Sequence, residues 1–288
     1  MATTAVVVLS HSYPVQVRRL LGTLSRGHDT FVAVHHDPSA DPLPGRLPSN
    51  AFLVPGAAPC SWGRWSVVEA LLRSMAFVRA AVPEFAWLVV ISGLDYPIHG
   101  MQFVERELAA SPVDGYVRHF AVGDPADDLV DWQAQCRLRY LYRRRIPFSY
   151  RSVPLRRERR HPFHNGAQLY VGDLWMNLAP IAVAKVLESE LRPAISQYLR
   201  TVSVPDEAFV PTLLFNEAPK LAIAPDPRRF IQWPASPSRH PLPLTLADLP
   251  ALRVSTAFFA RKVDPEHHAD VCAQLDDLAE RADRIHPA

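Results

Sequence analysis

Two short aliphatic runs separated by one helix-length segment constrain the fold of this chain more than any other feature. The first run is Ala5–Leu9, and the second is Thr30–His35. Between them, Val15–Leu24 carries apolar residues at helical spacing. Continuous apolar strands of this kind are typical of a parallel sheet that is buried on both faces. The sequence therefore predicts a β-α-β unit at the start of the chain.

The alternation of strand-like and helix-like segments continues over the first 120 residues. The further segments are Ala51–Val54, Ser66–Ala81, Phe85–Ile91, Gln102–Ala110 and Gly115–Phe120. This order predicts an α/β fold in which a mostly parallel central sheet is flanked by helices. Later in the chain we expect one long helix over Pro180–Leu199 and an amphipathic closing helix over Pro265–Ile285.

The composition is that of a globular protein with a substantial core. Of the 288 residues, 48% are hydrophobic and 21% are charged, and the formal net charge is only +2. The bulk charge therefore points to no polyanionic partner. We find no internal repeat and no domain boundary, so we expect a single domain over 1–288, with halves 1–120 and 121–288.

The sequence contains little that points to an oxidising compartment or to a membrane. Its three cysteines, Cys60, Cys136 and Cys272, have neither metal-ligand spacing nor disulfide density. The chain begins directly with an apolar strand and shows no signal-peptide pattern, and no apolar run has the length of a membrane span. We therefore expect a cytoplasmic protein without a membrane span.

Polar residues follow the first two predicted strands. His11 comes after the first strand and Asp37 after the second. Ligands of open α/β sheets bind at the carboxyl ends of strands, so both side chains are candidates for nucleotide binding. A lone histidine in such a position is more often a structural residue. The Gly-x-Gly-x-x-Gly fingerprint of dinucleotide-binding proteins is absent after the first strand.

Arginines and aromatic residues are concentrated between residues 137 and 160. Arginines interleaved with aromatics suit phosphate or single-stranded nucleic acid, which makes a nucleic-acid-binding or phosphate-binding protein one hypothesis. A solvated insertion is the simpler interpretation, because charge runs usually face solvent. A third interpretation is that the segment lines an acceptor site.

The stretch Ser203–Val210 contains Asp206 and Glu207 after Pro205, with apolar residues on both sides. A proline followed by acids is an ordinary start for a helix, because acids complement the helix dipole there. The same stretch could also hold a half-buried carboxylate. Burial raises the pKa of a carboxylate and makes it a better proton acceptor.

Several short motifs, weak singly, occur together in a characteristic order. They are Leu9–His11, Val34–Asp37, Ser61–Ser66, Ile91–Pro97, Gly172–Trp175, Pro205–Phe209 and Phe259–Asp264. In this order the chain resembles the family of Core-2/I-branching β-1,6-N-acetylglucosaminyltransferases and peptide O-xylosyltransferases. The composition, which is rich in Ala, Arg and Pro, suggests a bacterial member.

The resemblance implies a GT-A fold, with a nucleotide-sugar-binding half at 1–120 and an acceptor-binding and catalytic half at 121–288. It implies an inverting transfer of a sugar, GlcNAc or xylose-like, from a UDP-sugar to a hydroxyl of a small-molecule or glycan acceptor. In this family the general base is the Glu of the Pro-Asp-Glu motif, which here is Glu207. No metal or other cofactor is expected, because basic side chains replace the metal.

The resemblance also assigns binding residues. Arg261 and Lys262, with Arg239 as a further candidate, would hold the diphosphate, and His11, Asp37, Trp62 and Gly63 would surround the nucleoside. Asp95 and Trp175 could shape the donor-sugar pocket, and Trp175 and Trp233 are candidates for acceptor binding. A sugar-nucleotide-binding module without catalytic activity is the remaining alternative.

Overall fold

The structure is a computed structural model that describes residues 3–122, 131–144, 154–158, 160–163, 167–216, 220–235 and 240–285. The strands are β1 (Thr4–Ser10), β2 (Thr30–His36), β3 (Ala51–Leu53), β4 (Trp87–Ser92), β5 (Asp95–Pro97), β6 (Gly115–Ala121), β7 (Tyr142–Arg144), β8 (Pro154–Glu158), β9 (Tyr170–Leu178), β10 (Ile223–Ala224), β11 (Arg229–Ile231) and β12 (Phe259–Arg261). The helices are α1 (Pro14–Leu24), α2 (Trp65–Ala81), α3 (Met101–Ala109), α4 (Asp131–Leu141), α5 (Pro180–Glu188), α6 (Arg192–Leu199), α7 (Asp206–Asn216), α8 (Leu249–Val254) and α9 (Ala269–Ile285).

A seven-stranded sheet in the order β10-β6-β9-β4-β1-β2-β3 forms the centre of the molecule. The described pairings are parallel except at β9, which runs antiparallel to both β4 and β6. The prediction of an α/β, GT-A-like fold with a mostly parallel sheet is therefore confirmed. Because β9 is reversed, its amino-terminal half lies at the edge where its neighbours end.

The central strands are buried on both faces, which explains their continuous apolar runs. Along β1, Ala5 and Val7 belong to a core that includes side chains of α2, α5 and α7. Val6 and Val8 belong to a second core that includes side chains of α1, α3 and α9. Helices thus cover both faces of the sheet and leave its strand ends open for a site.

Two predicted helices differ from the observed ones. The helix expected over Pro180–Leu199 is interrupted between α5 and α6, where the Ser189 hydroxyl accepts a hydrogen bond from Leu191 N–H at 3.1 Å. Pro193 in the first turn of α6 has no N–H group, so it cannot continue the helix before it. The closing helix begins at Ala269 rather than Pro265, because the Asp264 carboxylate binds the N–H groups of Glu266 and His267 in a preceding turn.

A second, three-stranded sheet in the order β11-β12-β5 lies next to the carboxyl end of β4. β12 runs parallel to β11 and antiparallel to β5, and this pairing sets Arg261 opposite Asp95. The small sheet thereby carries a basic residue from near the end of the chain to the edge of the large sheet. Within the described ranges, no helix combines the length and apolarity required to cross a membrane.

Candidate active site

Glu207 lies in the first turn of α7 with its side chain 36% exposed. Arg139 of α4 donates a hydrogen bond from Nη1 to Glu207 Oε2 at 3.0 Å. Burial raises the pKa of Glu207 to about 7; the charge of Arg139 opposes this rise, and the charges of Asp206 and Asp173 add to it. Glu207 is therefore a carboxylate that can accept a proton near neutral pH and can still be reached by a ligand.

Asp206 precedes Glu207 and differs from it in its surroundings. Its Oδ1 atom is buried and has no hydrogen-bond partner in the described structure. Burial raises the pKa of Asp206 to about 6, while its own backbone N–H and the charge of Arg139 oppose the rise. A second carboxyl group with a raised pKa thus lies beside the first, and its negative charge makes Glu207 a stronger base.

The segment before α7 is anchored by backbone contacts from two distant parts of the chain. Val204, at φ 56°, donates its N–H to the carbonyl of Gly63 at 2.9 Å, and its own carbonyl accepts the Tyr140 hydroxyl at 2.6 Å. Gly63 also has a positive φ of 68°, which glycine adopts without strain. The Trp-Gly motif therefore helps to position Glu207, and Trp62 beside it is 57% exposed.

Arg261 lies between an acid and an aromatic ring. Its Nη1 is 3.2 Å from Oδ2 of Asp95, a residue with no exposed surface. Its guanidinium carbon lies 4.0 Å from the ring centroid of Trp175, a cation–π geometry. Asp95 also accepts the N–H of Ser92 at 2.6 Å. Asp95 and Trp175, both predicted site residues, thus hold a third one in place.

Lys262 follows Arg261 and is partly exposed, and its side chain makes no hydrogen bond or ion pair with the described residues. We call Arg261 and Lys262 the cation pair. Arg261 is fixed by its neighbours, whereas the ammonium group of Lys262 is available to a ligand. Arg239, the third predicted diphosphate ligand, lies outside the described residues.

Arg229 is a buried cation near the cation pair that sequence reasoning did not assign. It is 8% exposed, and its guanidinium donates to the carbonyl of Val90 at 3.0 Å and to Oδ1 of Asn177 at 3.3 Å. Burial lowers its pKa to about 10, although the charge of Asp95 opposes this. The available signal was an arginine at the head of the short run Arg229–Ile231, which forms β11.

Three alternate residues of β9 each face an arginine. Asp173 faces Arg118, Trp175 lies under Arg261, and Asn177 binds Arg229. Alternate residues of a strand point to the same side, so one face of β9 carries this row. The sequence analysis named Trp175 but not Asp173 or Asn177. The period-two spacing after Gly172 was the signal that could have identified them.

A β-bulge places the first member of this row. The register between β6 and β9 shifts between Val117 and His119, opposite Gly172. A Cβ atom at Gly172 would lie 1.8 Å from the carbonyl oxygen of Arg118, so a side chain there is excluded. Arg118 Nη1 consequently lies 3.8 Å from Asp173 Oδ2. Burial nevertheless raises the pKa of Asp173, even though Arg118, Arg261 and Arg229 act to lower it.

The predicted nucleoside residues lie at the carboxyl ends of β1 and β2. His11 is exposed in the turn after β1. Asp37 is buried and accepts the N–H of Ser39 at 2.8 Å and that of Cys60 at 2.7 Å. Although burial alone would raise the pKa of Asp37, hydrogen bonds from Ser39 and Cys60 outweigh it and lower the pKa. Asp37 therefore connects the end of β2 to the segment that leads to Trp62 and Gly63.

A cavity of about 450 Å³ lies beside Asp37. Its lining is mainly aliphatic and includes Val34, His36, Leu43, Leu47, Leu53 and Val54. His36 is held by Ser10 Oγ at 2.8 Å and by the carbonyl of Asp41 at 2.8 Å. The size suits a ligand group, because ligand sites usually combine apolar walls with a few polar groups.

The remaining predicted positions are more scattered. Trp233 is 49% exposed, and Trp62 lies with its ring centroid 5.9 Å from that of His240. Within the arginine-rich segment 137–160, Arg139 contacts the site through Glu207, and residues 143–159 lie outside those whose side chains are described. In the described ranges, no three His, Cys, Asp or Glu side chains are grouped as metal ligands.

The family model for the Core-2/I-branching enzyme matches residues 7–253, which is most of the chain. The matched range contains Glu207, Arg139 and Asp95, and it ends before the cation pair. It also contains the three residues of β9 that face arginines, Asp173, Trp175 and Asn177. A search of curated proteins finds no match.

Proposed function

The chain belongs to the Core-2/I-branching enzyme family, whose members are glycosyltransferases, and on that premise we propose an inverting sugar transfer with Glu207 as general base. The donor in this proposal is a UDP-sugar, with GlcNAc or a xylose-like sugar as the transferred group. The acceptor is a hydroxyl of a small molecule or glycan. The observation that carries the proposal is Glu207 itself, a carboxylate 36% exposed that Arg139 holds at 3.0 Å and whose pKa burial raises to about 7.

The first step of the proposed reaction is proton removal. Glu207, with its pKa raised to about 7, accepts the proton of the acceptor hydroxyl as the oxygen attacks the anomeric carbon. Arg139 holds the carboxylate by its 3.0 Å hydrogen bond, so one oxygen is oriented and the other remains for the hydroxyl. One base in a single displacement inverts the configuration at the anomeric carbon.

The second requirement is to stabilise the negative charge that develops on the leaving group. The bond between the anomeric carbon and the phosphate oxygen breaks, and its electron pair leaves with UDP. Preorganised cations stabilise such developing charge, and Arg can grip a phosphate with two N–H groups. We assign this work to Arg261 and Lys262 without a metal. Arg261 has a fixed orientation between Asp95 and Trp175, which supports the assignment.

We assign the nucleotide sugar to residues 1–120 together with the cation pair, and the acceptor to the half that begins at residue 121. The apolar cavity beside Asp37 and the exposed ring of Trp62 support a nucleoside position at the ends of β2 and β3. Trp233 supports an acceptor position, because an exposed indole can stack on a sugar face.

The test is sugar transfer by Glu207→Gln, with candidate donors first selected by the thermal shift that each UDP-sugar produces. We expect transfer to fall by about a hundredfold or more, in the usual range for loss of a general base. UDP affinity should change by no more than about twofold, because the substitution leaves the cation pair intact. Glu190→Gln, at an exposed glutamate, is the matched control and should retain activity.

Two further measurements address the mechanism. Transfer should persist in excess EDTA, and proton NMR of the product from an α-linked donor should show the β configuration. Full turnover by Glu207→Gln would show that Glu207 is not the general base. Loss of activity in EDTA that is restored by a divalent cation would remove the metal-free assignment.

A further inference from the structure

Asp173 is a carboxylate in the candidate site that lacks hydrogen bonds within the described structure. Its Oδ2 is inaccessible to solvent and has no hydrogen-bond partner. The nearest ion-pair atom, Arg118 Nη1, is 3.8 Å away, which is beyond hydrogen-bonding distance. Buried polar atoms are nearly always hydrogen-bonded, so this carboxylate lacks a donor among the described residues. Its side chain is 21% exposed, so a bound molecule can reach the carboxylate and supply hydrogen bonds.

The neighbouring cations do not supply that donor. Arg261 is directed to Asp95 and stacked on Trp175, and the guanidinium of Arg229 is directed to Val90 and Asn177. These arginines act on Asp173 through their charge, but the hydrogen bonds that they donate in the described structure go to other residues. The positive charges around Asp173 therefore favour its ionised form, while its oxygens remain able to accept hydrogen bonds from a bound molecule.

The position of Asp173 indicates which part of a bound molecule it contacts. Trp175, two residues along the same face of β9, supports Arg261 of the cation pair, and the charge of Asp173 also acts on Glu207. α7 is fastened along β9, because the Thr212 hydroxyl bonds both the N–H (3.1 Å) and the carbonyl (3.0 Å) of Tyr170. In the proposed reaction, the sugar between diphosphate and base is the group being transferred.

We propose that Asp173 is a positioning residue that accepts hydrogen bonds from hydroxyl groups of the transferred sugar of the donor. The inference rests on the proposed function and adds a residue that selects the donor. A carboxylate can accept from two neighbouring hydroxyls at once, and such charge-assisted bonds are about twice as strong as neutral ones. A sugar that lacks these hydroxyls would leave the carboxylate without these hydrogen bonds, so the site discriminates against deoxy sugars.

The test compares the affinities of UDP and of a UDP-sugar, measured by calorimetry for wild type and for Asp173→Asn. For the UDP-sugar we expect the variant to bind about tenfold more weakly or worse, because charge-assisted hydrogen bonds are lost. For UDP alone we expect equal or tighter binding, because a negative charge next to the cation pair has been removed. Asp277→Asn, at an exposed position on α9, should change neither affinity.

Weaker binding of the UDP-sugar together with equal or tighter binding of UDP would distinguish a positioning role of Asp173 from a structural one. If Asp173→Asn weakens UDP and UDP-sugar equally, or weakens neither, the inference is overturned. If only the KM for the acceptor changes, the carboxylate serves the acceptor, and the donor assignment is overturned. If wild type binds UDP and no UDP-sugar from a panel with GlcNAc, xylose and glucose donors, the proposed donor class fails, and this inference fails with it. Asp173→Ala repeats the comparison without a side-chain amide.

Discussion

Arg139 and Glu207, 68 positions apart in the sequence, are joined by a 3.0 Å hydrogen bond between guanidinium and carboxylate. Arg139 belongs to the arginine-rich segment for which nucleic-acid binding was one hypothesis. Here the same residue opposes the pKa rise that burial causes at Glu207. A basic side chain taken for surface charge is thus part of the environment of the proposed base.

Arg139→Gln should move the pH profile of kcat/KM. Arg139 lowers the pKa of Glu207, which stands at about 7, so its removal raises that pKa and shifts the rising limb of activity to higher pH. Activity at neutral pH should fall, and raising the pH should partly restore it. Arg139→Lys keeps the charge and serves as the control. An unchanged rising limb of the pH profile in Arg139→Gln would show that the ion pair does not set the pKa of Glu207.

Arg261→Gln and Lys262→Ala should separate binding from stability. Arg261→Gln leaves Asp95 buried with no ion-pair partner, which costs about 3 kcal/mol or more in the free energy of unfolding. Lys262→Ala removes no hydrogen bond or ion pair with a described residue, so its effect on stability should be small. Both should weaken UDP binding in calorimetry, by about tenfold or more for each lost cation contact.

The double variant Arg261→Gln/Asp95→Asn distinguishes a role of Arg261 in UDP binding from a role in stability. It should recover much of the lost stability in urea titrations, because the buried carboxylate is gone, yet it should still bind UDP weakly. Recovery of UDP affinity in the double variant would mean that Arg261 serves the fold rather than the ligand. Arg253→Gln, at an exposed arginine, is the matched control for both assays.

Asp206→Asn should flatten the dependence of stability on pH. Burial raises the pKa of Asp206 from 3.8 to about 6, so the folded protein holds a proton that the unfolded chain has already released in this window. The contribution of Asp206 to stability therefore falls as the pH rises from 3.8 towards about 6. The variant lacks this titration, so its melting temperature should decline less over the window. Equal slopes for wild type and variant would contradict the expectation.

Gly172→Ala should destabilise the fold, because the new methyl group would lie 1.8 Å from the carbonyl oxygen of Arg118 and backbone must move. We expect a loss of about 1–3 kcal/mol or more in urea titrations, as for other overpacked sites. Gly22→Ala in α1 is a matched control with open space around the methyl group, its nearest atom lying 3.9 Å away. That control should gain up to about 1 kcal/mol.

Much of the architecture could be predicted from local pattern. The aliphatic runs of β1, β2 and β4 predicted buried parallel strands, because strands covered on both faces need apolar residues at every position. The reversal of β9 had no such signal. Its direction depends on pairing with β4 and β6, which are distant in sequence, and neither periodicity nor composition encodes the direction of a strand.

The motif order also identified the family and drew attention to Glu207, Asp95, Trp175 and Arg261. The partners of these residues could not be predicted in the same way. Arg139 lies in a segment whose composition favours solvent exposure, and Asp173 and Arg229 have no neighbours in sequence that reveal their burial. Such side chains become recognisable only when the residues that remove water from them are known.

The sequence by itself determined the fold class, the family and the residues that a sugar transfer would use, because local spacing and motif order carry that information. Only the tertiary structure decided the electrostatic state of those residues. It put Asp95 against Arg261, Arg139 against Glu207, and Asp173 within electrostatic range of both Glu207 and Arg261. The physical reason is that a pKa and an unpaired oxygen depend on burial and on charges a few ångströms away, and long-range chain pairing sets those distances.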